Sequence, residues 1–123
     1  MQGGSPLGYG NKGWINSAYD QSGNLKPTYM NRLEMILDRA DELGMVPILG
    51  LFYFGQDQLL TDDAAVKNAV NNTVSWILNK GYENVLIEIA NECDNNGYDR
   101  EIIKSKNIFF IRANIINYTK SCT

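Results

Sequence analysis

The sequence predicts an α/β fold built on a parallel strand, helix, strand unit, and three observations carry that expectation. Two segments read as strands: Met45 to Phe54 is nearly unbroken apolar sequence, and Asn84 to Glu92 is β-branched and apolar apart from its carboxylates and amides, as strands of a parallel sheet covered on both faces are. Between them, Val66, Ala69, Val70, Val74, Ile77 and Leu78 recur at helical spacing. Finally, 123 residues suffice for one domain but not for the roughly 250 of a closed eightfold β/α barrel. A complete barrel is therefore excluded, and residues 1–123 read as a single unit.

Residues 1–27 form a loop region rich in Gly, Asn and Ser, with Tyr9, Trp14 and Tyr19 scattered through it and no period of either kind. Residues 28–93 carry the core. Leu33, Ile36, Leu37, Ala40 and Leu43 define the face of a first helix, with Thr28 as its expected N-cap and Gly44 as the glycine beyond its end. The first strand is expected near 46–53, with Pro47 at its start or on an unpaired side because proline supplies no ladder donor. Thr61, Asp62 and Asp63 open the second helix, their acidic groups favouring the positive end of its dipole, and Gly81 closes it. The second strand is expected near 84–91. Beyond the Asp94-Asn95-Asn96-Gly97 turn, residues 94–123 read as a third helix starting near Asp99, with Ile102, Ile103, Phe109 and Phe110 facing inward, and an irregular tail.

Composition removes whole classes of chemistry. Eleven Lys and Arg against 14 Asp and Glu give a net charge of -3, the wrong sign for a surface that tracks phosphates, so no nucleic-acid partner is expected. The chain has no histidine, which eliminates Ser-His-Asp and Cys-His catalysis and histidine metal sites. Cys93 and Cys122 match no metal spacing and read as thiols, so neither metal nor cofactor is expected. No basic segment followed by an apolar run marks a secretory signal, and no apolar stretch is long enough for a bilayer. A cytoplasmic location follows for the chain as given, with secretion left open for a parent protein.

Carboxylates are then the remaining proton-transfer groups, and position narrows them. Parallel sheets bind ligands beyond the carboxyl ends of their strands, where this sequence has Tyr53-Phe54-Gly55-Gln56-Asp57-Gln58 and Asn91-Glu92-Cys93-Asp94. Aromatic faces cover the apolar side of a sugar ring while amides and carboxylates bond its hydroxyls, so the composition suits a neutral oligosaccharide or polysaccharide. Tyr53, Gln56, Asp57, Asn91 and Trp14 are the candidate substrate-binding residues.

Asn91-Glu92 behind Val85-Leu86-Ile87-Glu88-Ile89 resembles the fourth-strand signature of clan A glycoside hydrolases, the cellulase-like (family 5) β/α barrels. Asp41 to Val46 followed by Ile48-Leu49-Gly50, and the Gln2-Gly3-Gly4-Ser5-Pro6 loop, extend the resemblance over residues 2 to 103. It implies a partial (β/α)8 barrel, a retaining two-carboxylate hydrolysis of β-glycosidic bonds, Glu92 as general acid/base and Asn91 as the residue holding a sugar hydroxyl. Cys93 stands where the family usually has proline.

The nucleophile is not in the chain as the resemblance implies it, because in the family it stands on a much later strand. Glu88 cannot replace it. Four residues along a strand at about 3.3 Å each separate it from Glu92 by roughly 13 Å, whereas retaining pairs stand about 5 to 5.5 Å apart. Glu88 reads instead as an ion-paired interior residue whose Arg or Lys partner is expected in the part of the barrel outside this chain. Asp57 ends the other expected strand, where a strand spacing of about 4.8 Å leaves the distance possible, although the family has no catalytic carboxylate there. Low or absent activity alone is therefore expected. A non-catalytic carbohydrate-binding module, or an α/β module that self-associates through exposed sheet edges, is the alternative reading.

Overall fold

The computed structural model describes residues 1–3, 16–90, 98, 101–104, 108–112 and 115–119. Helix α1 spans Pro27–Glu42. Pro27 occupies its first turn, where a missing N–H costs nothing and a preset φ helps. The N-cap is Lys26, which offers no side-chain cap, so Thr28 lies inside the helix rather than before it: proline took the first helical position. At the other end Gly44 adopts φ 67. The Met45 N–H reaches the Ala40 carbonyl and the Gly44 N–H the Asp41 carbonyl, each at 2.9 Å, a Schellman closure that satisfies two otherwise orphaned carbonyls.

Helix α2 spans Asp63–Lys80, and the Asp62 carboxylate caps it by accepting the Ala65 N–H at 2.8 Å. Gly81 at φ 77 ends it. Its buried stripe is Ala65, Val66, Ala69, Thr73 and Ile77, while Leu78 is exposed. Thr73 enters the stripe because its hydroxyl is fully used: it donates to the Ala69 carbonyl at 2.7 Å and meets the Tyr19 hydroxyl at 3.1 Å.

Two sheets form. Strands β1 (Gln2–Gly3) and β2 (Asn16–Ser17) pair antiparallel. Strands β3 (Ile48–Phe52) and β4 (Leu86–Ala90) run parallel, joined through α2, with Gly50 level with Glu88 and Phe52 level with Ala90. Strand β5 (Ile108–Arg112) lies antiparallel to β4, and β6 (Ile115–Thr119) antiparallel to β5. The four-stranded sheet is thus mixed, in the order β3-β4-β5-β6. The third helix, α3, is described over Glu101–Lys104. Phe109 and Phe110 belong to β5 rather than to a helix face, and the irregular tail expected beyond contains β6. The β-branched and aromatic runs, Ile108 to Ile111 and Ile115-Ile116, favour a pleated backbone over a helical one.

Pro47 lies just before β3, where its carbonyl accepts the Leu86 N–H at 3.0 Å and no ladder donor is required of it. Burial along β3 differs from the expectation of cover on both faces. Leu49 and Leu51 are buried, but Ile48 is 68% exposed, and Met45 and Val46 ahead of it are exposed as well. The core gathers around Leu51, Phe52, Ile77, Val85 and Ile87, with Met30, Leu33 and Leu37 of α1 contributing. Ile36 and Leu43, expected on the buried face of α1, are exposed.

Candidate functional site

Strand β3 stops at Phe52, and the chain turns through Tyr53, Phe54 and Gly55, whose φ of 76 is a conformation that favours glycine. A single 3-10 turn, Asp57–Leu59, follows. Three hydrogen bonds fasten this loop to β1. The Tyr53 N–H donates to Gln2 Oε1 at 3.5 Å, Gln2 Nε2 donates to the Gln56 carbonyl at 3.2 Å, and Gln56 Nε2 donates to the Gly3 carbonyl at 2.8 Å. Donation to a carbonyl fixes which end of the Gln56 amide is nitrogen. Its Oε1 therefore points away, buried and without a hydrogen-bond partner among the described residues.

An aromatic group stands over the same strand end. Tyr53 and Phe54 stack with centroids 4.3 Å apart, and Phe54 meets the Tyr98 ring edge-on at 6.1 Å. The buried Tyr98 hydroxyl donates to the Phe52 carbonyl at 3.3 Å. Burial pushes its pKa up, and the negative charges of Asp57 and Glu88 push it further in the same direction. The phenol is consequently a fixed neutral donor, and two carboxylates gather within electrostatic reach of it. The Glu88 carboxylate lies over β3, with Oε2 3.5 Å from where a Cβ on Gly50 would stand.

Of the residues singled out by sequence, Tyr53 is half-buried beside its stacked neighbour. Gln56 and Asp57 are fully buried, so they lie beneath the strand end rather than on its surface. Asn91, Glu92 and Trp14 lie outside the described residues, as do Cys93 and Cys122. Asn91 is the residue that follows β4, as Tyr53 follows β3, and the last residues of those two strands stand level. Sequence reasoning missed the roles of Gln2 and Tyr98. Gln2 carried no local signal, since its partners are more than fifty residues away. Tyr98 offered one: a large aromatic directly after the Asn- and Gly-containing segment 94–97.

No family model matches the chain, and neither a curated protein nor a solved structure does. Among the described residues no group of three or more His, Cys, Asp or Glu is placed to hold a metal ion, and no described helix is long and apolar enough to cross a membrane. What the strand end offers chemically is the half-buried aromatic pair of Tyr53 and Phe54, since the Tyr98 hydroxyl is used on the Phe52 carbonyl and Gln56 and Asp57 are buried beneath. A stacked aromatic pair suits the apolar face of a ligand such as a sugar ring.

Proposed function

We propose that this chain is part of a cellulase-like, clan A glycoside hydrolase barrel that acts on β-linked oligosaccharides or polysaccharides, with Glu92 as the general acid/base and Asn91 holding the adjacent sugar hydroxyl. The observation that carries the reading is the register of the parallel pair: Phe52 stands level with Ala90, so Tyr53 and the Asn91-Glu92 dipeptide follow the same level of neighbouring strands. The aromatic pair of Tyr53 and Phe54 at the end of a parallel strand supports it further. Glu92 would donate its proton to the leaving oxygen, and a carboxylate from outside these residues would attack the anomeric carbon. The chain alone then turns over no glycoside. Release of a phenol from aryl β-glycosides, compared between the chain and Glu92→Gln, tests this. Equal background is expected, and turnover that the substitution abolishes would overturn the missing-nucleophile account.

A second reading rests on the edge of β3. The Pro47 carbonyl faces β4, so alternation turns the N–H and C=O groups of Ile48 and Gly50 outward, where no described backbone group pairs with them. Two copies paired antiparallel about Leu49 would satisfy these groups mutually and cover the exposed Ile48 side chain. A self-associating module is the function this feature favours.

A further inference from the structure

Away from the strand-end site, a cavity of about 330 Å³ opens between α2, the sheet and α3. Val66 and Val70 of α2, Phe52 and Ile89 of the parallel strands, and Ile102 and Ile103 of α3 make its apolar lining among the described residues. Its polar lining among the described residues is Lys67 and Asn71, one helical turn apart on α2 and both exposed. Among the described residues neither has an ion-pair or side-chain hydrogen-bond partner. The nearest structural use for Lys67, pairing with an acidic neighbour on its own helix, is thus not made.

We propose that this cavity binds a medium-chain alkyl carboxylate, its hydrocarbon in the valine and isoleucine lining and its carboxylate on Lys67 and Asn71. Volume sets the size: an apolar cavity of roughly 150 Å³ accepts a benzene ring, so one of about 330 Å³ accommodates an unbranched chain of octanoate or decanoate length. Chemistry sets the head group. An apolar lining alone would accept any hydrocarbon, whereas an ammonium without a partner among the described residues, beside an amide, favours an anion that accepts hydrogen bonds. The ligand enters tail first, because Lys67 and Asn71 are exposed whereas Val66, Ile89 and Ile103 are buried.

Calorimetric titration of the chain with decanoate, and with decan-1-ol as the uncharged probe, tests the assignment. Decanoate is expected to bind with one-to-one stoichiometry and to shift the methyl resonances of Val66, Val70, Ile89, Ile102 and Ile103. Lys67→Met should weaken decanoate about tenfold, the loss of one charge-assisted contact, and leave decan-1-ol unchanged. Val70→Trp, which fills the cavity, should abolish both. Methyl shifts in the unsubstituted chain locate the ligand even if Val70→Trp does not fold. No saturable binding would overturn the proposal, as would equal weakening of acid and alcohol by Lys67→Met. Shifts confined to the exposed apolar residues around Ile48 would overturn it too, as would capture of an amphipathic helical peptide in place of the carboxylate.

Discussion

Gly50 and Glu88 stand level on the parallel strands, and the carboxylate of Glu88 occupies the space over Gly50, 3.5 Å from where a Cβ would begin. Ordinary van der Waals contact starts at that separation, and Gly50 has no positive φ. Among the described residues no Lys or Arg pairs with Glu88, and the described cation that feels its charge is the buried N-terminal ammonium of Met1. Gly50→Ala is therefore expected to fold with stability unchanged or raised by up to about 1 kcal/mol, through reduced freedom of the unfolded chain. Urea denaturation checks it, and a loss above 1 kcal/mol would show that Glu88 cannot yield.

Gly23 gives the opposite expectation. At φ +80 its added Cβ would lie 2.2 Å from the Ala65 carbonyl oxygen and 2.8 Å from the Ala69 nitrogen, so the turn could no longer rest on α2. Asn68 and Asn72, which donate to the Ser22 and Gly23 carbonyls, would lose their acceptors' positions. Gly23→Ala should cost about 3 kcal/mol or more, from backbone strain and overpacking together. Gly44→Ala is the control: at φ +67 with nothing within 4 Å, it should cost about 1 kcal/mol from strain alone. Equal losses would refute the close-packing argument.

Tyr19 sets an alkaline limit. Burial raises its pKa well above the ordinary 10.0. A raised folded value favours the protonated phenol in the native state, so its contribution is fully present below pH 10 and is lost as pH rises from there toward the folded value. Tyr19→Phe should lower stability at pH 7 by about 1 kcal/mol, the hydrogen bond to Thr73 being lost, and should make stability fall less steeply above pH 10. Thermal melts of both chains across that range provide the measurement.

The parts of the fold legible in the sequence were those fixed by local chemistry. Asp62 and Gly81 bound α2, and Gly44 closes α1, because caps and left-handed glycines act within one turn. Thr28 misled because it is a good cap beside a proline that is a better first-turn residue. The β5-β6 pair escaped a reading that looked for helical spacing near Phe109, where strand propensity and pairing with β4 decide the outcome. At the site, Tyr53 was legible as a strand-end aromatic. The clasp between Gln2 and Gln56 was not, since long-range hydrogen bonds of buried amides leave no periodic trace.

Self-association through the β3 edge should respond to a single charge. Ile48 is 68% exposed, and Ile48→Lys places an ammonium where a second strand would lie. Sedimentation velocity is expected to show dimer or larger species for the natural sequence and monomer for the substituted one. A monomer in both cases would remove the second reading.

Glycan binding at the ends of β3 and β4 is measured by titrating isotope-labelled chain with β-1,4-linked glucan, mannan and xylan oligosaccharides while following the Tyr53, Phe54 and Tyr98 rings. Saturable shifts with at least one glycan, weakened by Tyr53→Ala and altered by Glu92→Gln, are predicted. Rings that do not respond to any of the three, in a chain whose fold is intact by its Tyr19 and Ile87 resonances, would rule out a glycan site at this sheet edge.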